Sequence, residues 1–383
     1  MLRRYDLVII NRSFWPIYPV IGEGLLRLAE NLAPFKKVAV IMQDHENIKK
    51  NLKKFNRGHG VKFFPGWAFT NSSSGLVKRI LDTLFFMFWV LFCLIKTRPK
   101  NIYVSTDPPI LVPFIVAIFS KIMGAKYVYH LQDIHPEATN VVTEINNYFF
   151  KFLKKIDNFT LMNARTLITL NKGMKIEIIN RINSQKEIAI VENPSIPLNI
   201  SSTSEKERGF SFTGNLGRLQ RVPLLVDSIN EYKKRGGILK FSFAGGGTFS
   251  NQINKLSKDN SLVDYFGLVS SNKAASISTK YEWALLPIDD QITRYAFPSK
   301  ISSYVCSGAK ILAICSKNTS VAEWIMFNQA GIVINPSVDE LVDTFFKIEK
   351  NNINAESIDM DRKELKKIFH MDRFVDNIKS KIL

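Results

Sequence analysis

The chemically most informative residues fall in the stretch 294–315, RYAFPSKISSYVCSGAKILAIC. It reads as a loop, a short helix and a strand, with Pro298 and Ser299 at the helix start and Gly308 at its stop. Lys300 lies in the first turn, where a cation opposes the helix dipole. The placement makes sense if an anion such as a diphosphate docks on the free N–H groups there, beside the ammonium. Two further loops have a phosphate-type composition. In residues 213–218, TGNLGR, Gly214 and Gly217 let the backbone approach a phosphate and Arg218 can pair with it; the plain alternative is a glycine turn with a surface arginine. Gly245 and Gly246 open a run of three glycines after FSFA. The run suits close approach of a flat base or ribose, or a flexible turn. Taken together, the three loops predict a nucleoside diphosphate ligand.

These loops need strands to hold them. The chain has 383 residues, enough for two or three domains, and its 46% hydrophobic content fits packed cores. Residues 7–10, 38–42, 102–105, 127–130, 166–170 and 188–191 are short, continuous apolar runs, the pattern of parallel strands covered on both faces. Residues 22–32 read as a glycine-started amphipathic helix. Residues 195–208, SIPLNISSTSEKER, read as a linker. Strand-like runs then recur at 209–213, 239–244, 265–268, 283–288 and 311–315, with helices at 223–234 and 249–257. The fold class is therefore α/β, with two domains in tandem, 1–195 and 196–383. In open parallel sheets ligands bind beyond the carboxyl ends of the strands, where the three loops fall.

Cys93, Cys306 and Cys315 form no CxxC pair, so no disulfide is expected and the compartment reads as reducing. The N-terminus reads as a first strand rather than a cleaved leader. Most of the net charge of +18 belongs to residues 1–195, a balance that suits nucleic acid or an anionic membrane. Residues 84–95, LFFMFWVLFCLI, carry no charge and are flanked by Lys78, Arg79, Lys96 and Arg98. As a helix this run would be about 18 Å long, short of the roughly 30 Å hydrocarbon core, so the expectation is an interfacial helix, with a buried core helix as the alternative. A second apolar run, 110–119, reads as a packing helix entered through Pro108, Pro109 and Pro113 and left at Gly124. Because the cations accompany apolar runs rather than an aromatic-interleaved strand face, the expected partner is the cytoplasmic membrane surface and not nucleic acid.

The segments TGNLGRLQRVPLLVDSI, FAGGGT, WALLPI, FPSKISSYVCSGAKILAI and VAEWIMFNQAGIVINP resemble successive donor-domain segments of family-four glycosyltransferases with the GT-B fold. IGEGLLRLAENL, STDPPILVPFIVAIFSKIMGAKYVYHLQDIHPE and VENPS are similar to the matching acceptor-domain segments. The branch resembled builds O-antigen or capsular polysaccharides on a lipid carrier. The resemblance implies two Rossmann-like domains whose parallel sheets face each other across a cleft. It also implies an acceptor-binding first domain, a donor-binding second domain, and a last helix crossing back to the first. It further implies retaining transfer from a nucleotide-diphosphate sugar, with no metal and no other cofactor, to a polyprenyl-diphosphate-linked acceptor.

By matched position, Arg218 and Lys300 would neutralise the leaving diphosphate, with N–H groups of Gly217, Gly22 and Ser299 assisting. Asp133 would orient the acceptor hydroxyl, and His135 and Glu137 of the same QDIHPE loop would face the acceptor, although Glu137 after Pro136 also reads as a helix start. The family's two glutamates, separated by seven residues, are replaced here by Tyr295 and Ser303. Glu323 is a candidate for the lost ribose contact, while Ser320 and Glu323 equally fit a capping box.

Asp359-Met360-Asp361 matches an Asp-x-Asp metal motif of another fold, but Asp361 and Glu364 read as helix-start residues and no metal is expected. Arg294 and Arg221 read as further phosphate contacts or solvated surface, with Arg221 expected at the surface, and His130 and His135 each read as a core histidine, His135 with an acceptor contact as its alternative. The resulting expectation is a hexosyl- or N-acetylhexosaminyl-transferase, peripheral on the inner face of the plasma membrane. One alternative is a soluble sugar-nucleotide 2-epimerase, which would not need residues 84–95. The other is a non-catalytic membrane-bound subunit, favoured by the missing glutamates and opposed by Arg218 and Lys300.

Overall fold

The computed structural model describes residues 4–70, 75–184, 186–195, 206–353, 358 and 363–382. Residues 196–205 of the expected linker and the Asp359–Asp361 motif lie outside them. The chain divides into two compact units, Met1–Pro194 with His370–Leu383, and Ser195–Phe369.

The first unit is built on seven strands, β1 (Tyr5–Ile10), β2 (Val38–Asp44), β3 (Val61–Trp67), β4 (Pro99–Ser105), β5 (Lys126–His130), β6 (Thr166–Thr169) and β7 (Ile188–Ile190). They lie in the order β3-β2-β1-β4-β5-β6-β7, all parallel. Its helices are α1 (Ile21–Leu32), α2 (Ile48–Lys54), α3 (Leu76–Thr97), α4 (Leu111–Met123), α5 (Glu137–Val142), α6 (Asn147–Asn163) and α7 (Lys172–Ile182). Buried side chains of β1, β2, α1 and the chain's last helix share one core. The second unit has six parallel strands, β8 (Glu207–Thr213), β9 (Lys240–Ala244), β10 (Val263–Tyr265), β11 (Tyr281–Pro287), β12 (Lys310–Ile314) and β13 (Gly331–Ile334). Their order is β10-β9-β8-β11-β12-β13. Its helices are α8 (Val222–Lys234), α9 (Ser250–Asp259), α10 (Ser271–Lys280), α11 (Lys300–Ser307), α12 (Ser320–Phe327), α13 (Val338–Glu349) and α14 (Lys363–Ile368). The last helix, α15 (Met371–Ile382), returns to the first unit. It packs on α1 and over β4 and β5, and Gly24 of α1 makes room for it: a Cβ there would lie 2.6 Å from the Phe374 ring.

Four elements depart from the sequence reading. The edge strands β3 and β13 are not announced, β3 because Pro65 and Gly66 sit inside it, which an edge strand tolerates. The strand expected at 265–268 ends at Tyr265, since Gly267 turns the chain in the left-handed region (φ +64°) and leaves Leu268 exposed. The helix expected over 84–95 is the 22-residue α3, about 33 Å long. By length and composition alone it is long enough to cross a membrane, and not too short as expected from residues 84–95. Lys78, Arg79 and Asp82 are part of the helix rather than its flank. The inner side of α3 is consumed by packing: Asp82, Phe86, Val90, Cys93 and Leu94 are buried. Asp82 accepts hydrogen bonds from Gln43 Nε2 (2.9 Å) and Thr70 Oγ1 (2.7 Å), anchoring the helix to β2 and to the segment after β3.

Candidate functional site

In the second unit the strand order reverses between β8 and β11, and the loops leaving these two strands diverge at their carboxyl ends. The loop after β8 carries Gly214, Gly217 and Arg218; the loop after β11 leads to Ser299 and Lys300 at the start of α11. The two come together where a Cβ on Gly214 (φ +126°) would lie 2.6 Å from Lys300 Cε. The Lys300 ammonium is enclosed by protein, 3.9 Å from the centre of the Phe212 ring, and burial draws its pKa down to about 7. No carboxylate among the described residues lies within ion-pair distance of it. Beside it stands the first turn of α11, where the N–H of Ile301 already donates to the Pro298 carbonyl (3.1 Å). Arg218 is exposed at the head of a single turn of 3-10 helix. A lysine with no counter-charge, a helix start and an exposed guanidinium together have the chemistry of an anion site.

Several expected contacts are explained otherwise. The N–H of Gly217 donates to Gln220 Oε1 (3.1 Å), so it is already used inside its own loop. A Cβ on Gly245 would lie 1.8 Å from the Gly214 carbonyl oxygen, and one on Gly246 would meet the Leu268 side chain at 2.9 Å. Gly245 thus lets the loops after β8 and β9 pack backbone to backbone, and Gly246 makes room for the Leu268 side chain from beyond β10. Gly22 belongs to the first unit, where a Cβ would lie 2.5 Å from Trp15 N; its role is the close seating of α1 on the preceding loop. Glu323 is exposed on the first turn of α12. The capping box with Ser320 is not formed: Thr319 Oγ1 caps the helix by accepting from Ala322 N (3.2 Å), and Ser320 Oγ donates to the Thr293 carbonyl (2.6 Å). Tyr295 and Ser303 are both half-buried, and the Arg294 guanidinium lies over the Tyr295 ring at 5.5 Å.

Arg221 is not the surface residue expected. Its Nε donates to the Ile288 carbonyl (2.9 Å) and its guanidinium pairs with Asp290 (3.0 Å), tying the loop after β8 to the loop after β11. Burial works against ionisation of Asp290, yet hydrogen bonds from Ser316 and the Arg221 charge outweigh it and hold the carboxyl below its usual range. No local sequence signal pointed to this brace, because its partners stand far apart in the chain. Arg221→Met is expected to weaken diphosphate binding about tenfold through misplacement of the loops, with little change in unfolding midpoint, since partly exposed pairs contribute modestly. Calorimetric titration alongside thermal unfolding separates the two effects.

In the first unit the order reverses between β1 and β4, but there the crevice is stitched shut. Asp107 after β4 accepts from Ser13 N (2.7 Å) and pairs with Arg12 (3.2 Å) after β1. The neighbouring Thr106 hydroxyl accepts from the N–H groups of Gln132 (3.0 Å) and Asp133 (3.4 Å), so the QDIHPE loop is pinned to the same knot. Burial, with Asp107 nearby, pushes the Asp133 carboxyl up to about 6, a value suited to exchanging a proton near neutrality. His130 is a core residue: it is fully buried, 2.6 Å from the Tyr103 hydroxyl, and burial lowers its pKa to about 3. His135 pairs with the Thr139 hydroxyl (2.8 Å) and is likewise lowered by burial, to about 4. Glu137 is removed from the acceptor-facing set. It begins α5 as the alternative reading had it, and its carboxylate is taken by Arg181 (3.0 Å) and Lys154 (2.9 Å). Arg181 also holds Asp157 (2.7 Å) and the His135 carbonyl (2.7 Å). Among the described residues no group of three or more His, Cys, Asp or Glu side chains has metal-site geometry.

Two helix-covered parallel sheets of seven and six strands, in these orders, define the GT-B fold. The likenesses to known proteins are distant ones. No family model matches the chain. A Pseudomonas aeruginosa protein that carries the name probable glycosyltransferase WbjE is 21% identical over 254 residues, 62% of this chain and 62% of that protein. The match thus spans less than two thirds of that relative's length. Among solved structures, sucrose-phosphate synthase from Thermosynechococcus elongatus superposes with a TM-score of 0.71 at 12% identity, covering 98% of both chains. HepE of Anabaena, solved in complex with UDP, gives 0.64 at 15% identity and 98% of both. A Listeria monocytogenes protein named as a UDP-N-acetylglucosamine 2-epimerase gives 0.61 at 11% identity, covering 99% of this chain and 96% of its own.

Proposed function

We propose that this protein is a retaining glycosyltransferase. In this reading it moves a hexosyl or N-acetylhexosaminyl group from a nucleotide-diphosphate donor to a lipid-linked oligosaccharide in bacterial surface-polysaccharide assembly. The observation that carries the reading is the enclosed Lys300 ammonium without a counter-charge, beside the start of α11 and within reach of the glycine loop after β8. As the anomeric carbon–oxygen bond breaks, negative charge grows on the departing diphosphate. Lys300 and Arg218 stabilise that charge in place, without requiring a metal. The acceptor oxygen bonds to the anomeric carbon on the face the diphosphate leaves, and its proton passes to a departing phosphate oxygen. Asp133 orients the acceptor hydroxyl, with His135 as its neighbour. Retention, the O-antigen or capsule branch and the polyprenyl carrier are supported by the motif resemblance. The UDP complex of HepE supports a nucleoside diphosphate ligand. The basic, apolar surface of the first unit supports work at the inner face of the plasma membrane.

The test is calorimetric binding of UDP, GDP and their sugar conjugates, followed by product analysis with the tightest donor. Binding of one diphosphate, and transfer of its sugar to a lipid-linked acceptor with retained anomeric configuration, is the expected result. No binding by any nucleotide would overturn it in favour of a non-catalytic subunit. An epimerase, the second reading that the Listeria likeness permits, would convert the sugar nucleotide with no acceptor present.

A further inference from the structure

One helical layer of the first unit leaves a broad set of apolar side chains uncovered. α3, α4 and α6 pack side by side there. At the carboxyl end of β3, Trp67 is 73% exposed and stacks on Phe85 in the third turn of α3 at 6.3 Å and 9°, with Phe69 edge-on to the same ring at 5.0 Å. Across the layer α6 opens with Tyr148, 86% exposed, and the exposed rings of Phe149 and Phe152. Of these rings the sequence reading singled out only Phe85, within residues 84–95.

Both groups lie at one edge. A helix that follows a parallel strand runs back against it, so helix starts stand at the carboxyl ends of the strands. Trp67, Phe69, Tyr148 and Phe149 therefore share the edge that carries Asp133. With α4 between them, and neighbouring helices 8–10 Å apart, the two aromatic groups are about 20 Å from one another. Each has exposed cations beside it, Lys78 and Arg79 at the first, Lys151 and Lys155 at the second. Exposed apolar surface of this extent implies a cover. Lysine is depleted in protein interfaces, whereas aromatic rings with lysines alongside suit a phospholipid headgroup layer carrying negative charge.

We propose that these two aromatic groups form a two-point dock on an anionic phospholipid bilayer, seating the carboxyl edge of the first unit's sheet at headgroup level. This deepens the lipid-linked acceptor of the reading above and rests on it for its purpose. A polyprenyl tail stays in the bilayer, and the dock brings the Asp133 loop to the headgroup it carries. α3 does not pass through the bilayer, because Asp82, Phe86, Val90, Cys93 and Leu94 are committed to the protein interior.

The test is co-sedimentation of the full chain with vesicles of phosphatidylcholine, with and without phosphatidylglycerol. The expected result is binding at least about tenfold tighter to the anionic vesicles and weakened by salt. Trp67→Ser with Phe69→Ser, and separately Tyr148→Ser with Phe149→Ser, should each cost at least about tenfold, with the unfolding midpoint and diphosphate binding unchanged. Lys151→Glu with Lys155→Glu, a fully surface change, should cost as much and guards against misfolding of the aromatic variants. Equal binding to both vesicle types, or variants that bind like wild type, overturns the dock. So does a wild-type dimer that these variants dissociate and that ignores vesicles. Diphosphate binding without vesicle binding sinks the dock and leaves the donor reading standing; vesicle binding without diphosphate binding does the reverse.

Discussion

Lys300→Met is expected to abolish nucleoside diphosphate binding, by at least about 100-fold, while raising the unfolding midpoint of the ligand-free protein by about 2 °C or more. The opposed signs follow from the site. The enclosed ammonium has a folded pKa of about 7 against an ordinary value of 10.5. Between these values the unfolded chain binds more protons than the folded one. Stability therefore rises with pH across that window, and the burden of the buried charge is greatest below pH 7. Methionine removes the burden at every pH. A bound diphosphate removes it differently, by supplying opposite charge and lifting the ammonium's pKa again. Binding at pH 8 should accordingly take up a proton, seen as a calorimetric heat that changes with the ionisation enthalpy of the buffer. Lys300→Met should lose that uptake along with affinity. A variant that binds diphosphate as wild type would show that the anion sits elsewhere.

The second large effect is structural. Arg181→Met is expected to destabilise the protein by about 3 to 5 kcal/mol, because it removes the counter-charge of buried Asp157 and leaves Glu137 only Lys154. The Arg181 and Asp157 side chains are each 1% exposed and Glu137 is 7% exposed, so water cannot replace the guanidinium. Burial already lifts Asp157 to about 6 with Arg181 opposing it; without Arg181 it rises further. The variant should therefore recover stability as pH falls below neutrality and Asp157 becomes neutral, which chemical denaturation at pH 5.5 and pH 8 would reveal. Loss of the same size at both pH values would mean that packing, rather than charge, dominates. Since Arg181 also holds the His135 carbonyl, the loop bearing Asp133 should loosen with it.

The chain announces its α/β alternation through short apolar runs such as 38–42 and 311–315, because strands covered on both faces leave little room for polar residues. Lys300 was legible for a local reason, its placement in the first turn after Pro298 and Ser299, and the structure places it in an enclosure at the reversal of strand order. Long-range partners were not legible. Arg221 and Asp290 meet only once β8 and β11 are neighbours, and nothing near either residue distinguishes a brace from a surface charge. Glu137 misled for the same reason, since its partner Arg181 arrives from α7. Gly245 and Gly246 misled because composition cannot tell a glycine that admits a ligand from one that admits another loop. The start of α3 is hidden in the sequence because Lys78, Arg79 and Asp82 look like a boundary to the apolar run, although buried Asp82 is one of the helix's anchors.

The return of α15 has a consequence for how the chain must be made. Phe374, Val375, Ile378 and Ile382 belong to the same core as β1 and α1, which are translated first. A ribosome delivers these residues only after the whole second unit has emerged, so the nascent first unit waits with an open groove along α1 while its neighbour can already fold. A stop codon anywhere before Met371 would then remove part of the beginning of the protein, in structural terms, rather than its end. A separately expressed first unit would need residues 370–382 supplied as a fused or added segment, whereas residues 195–369 contain their own core without it.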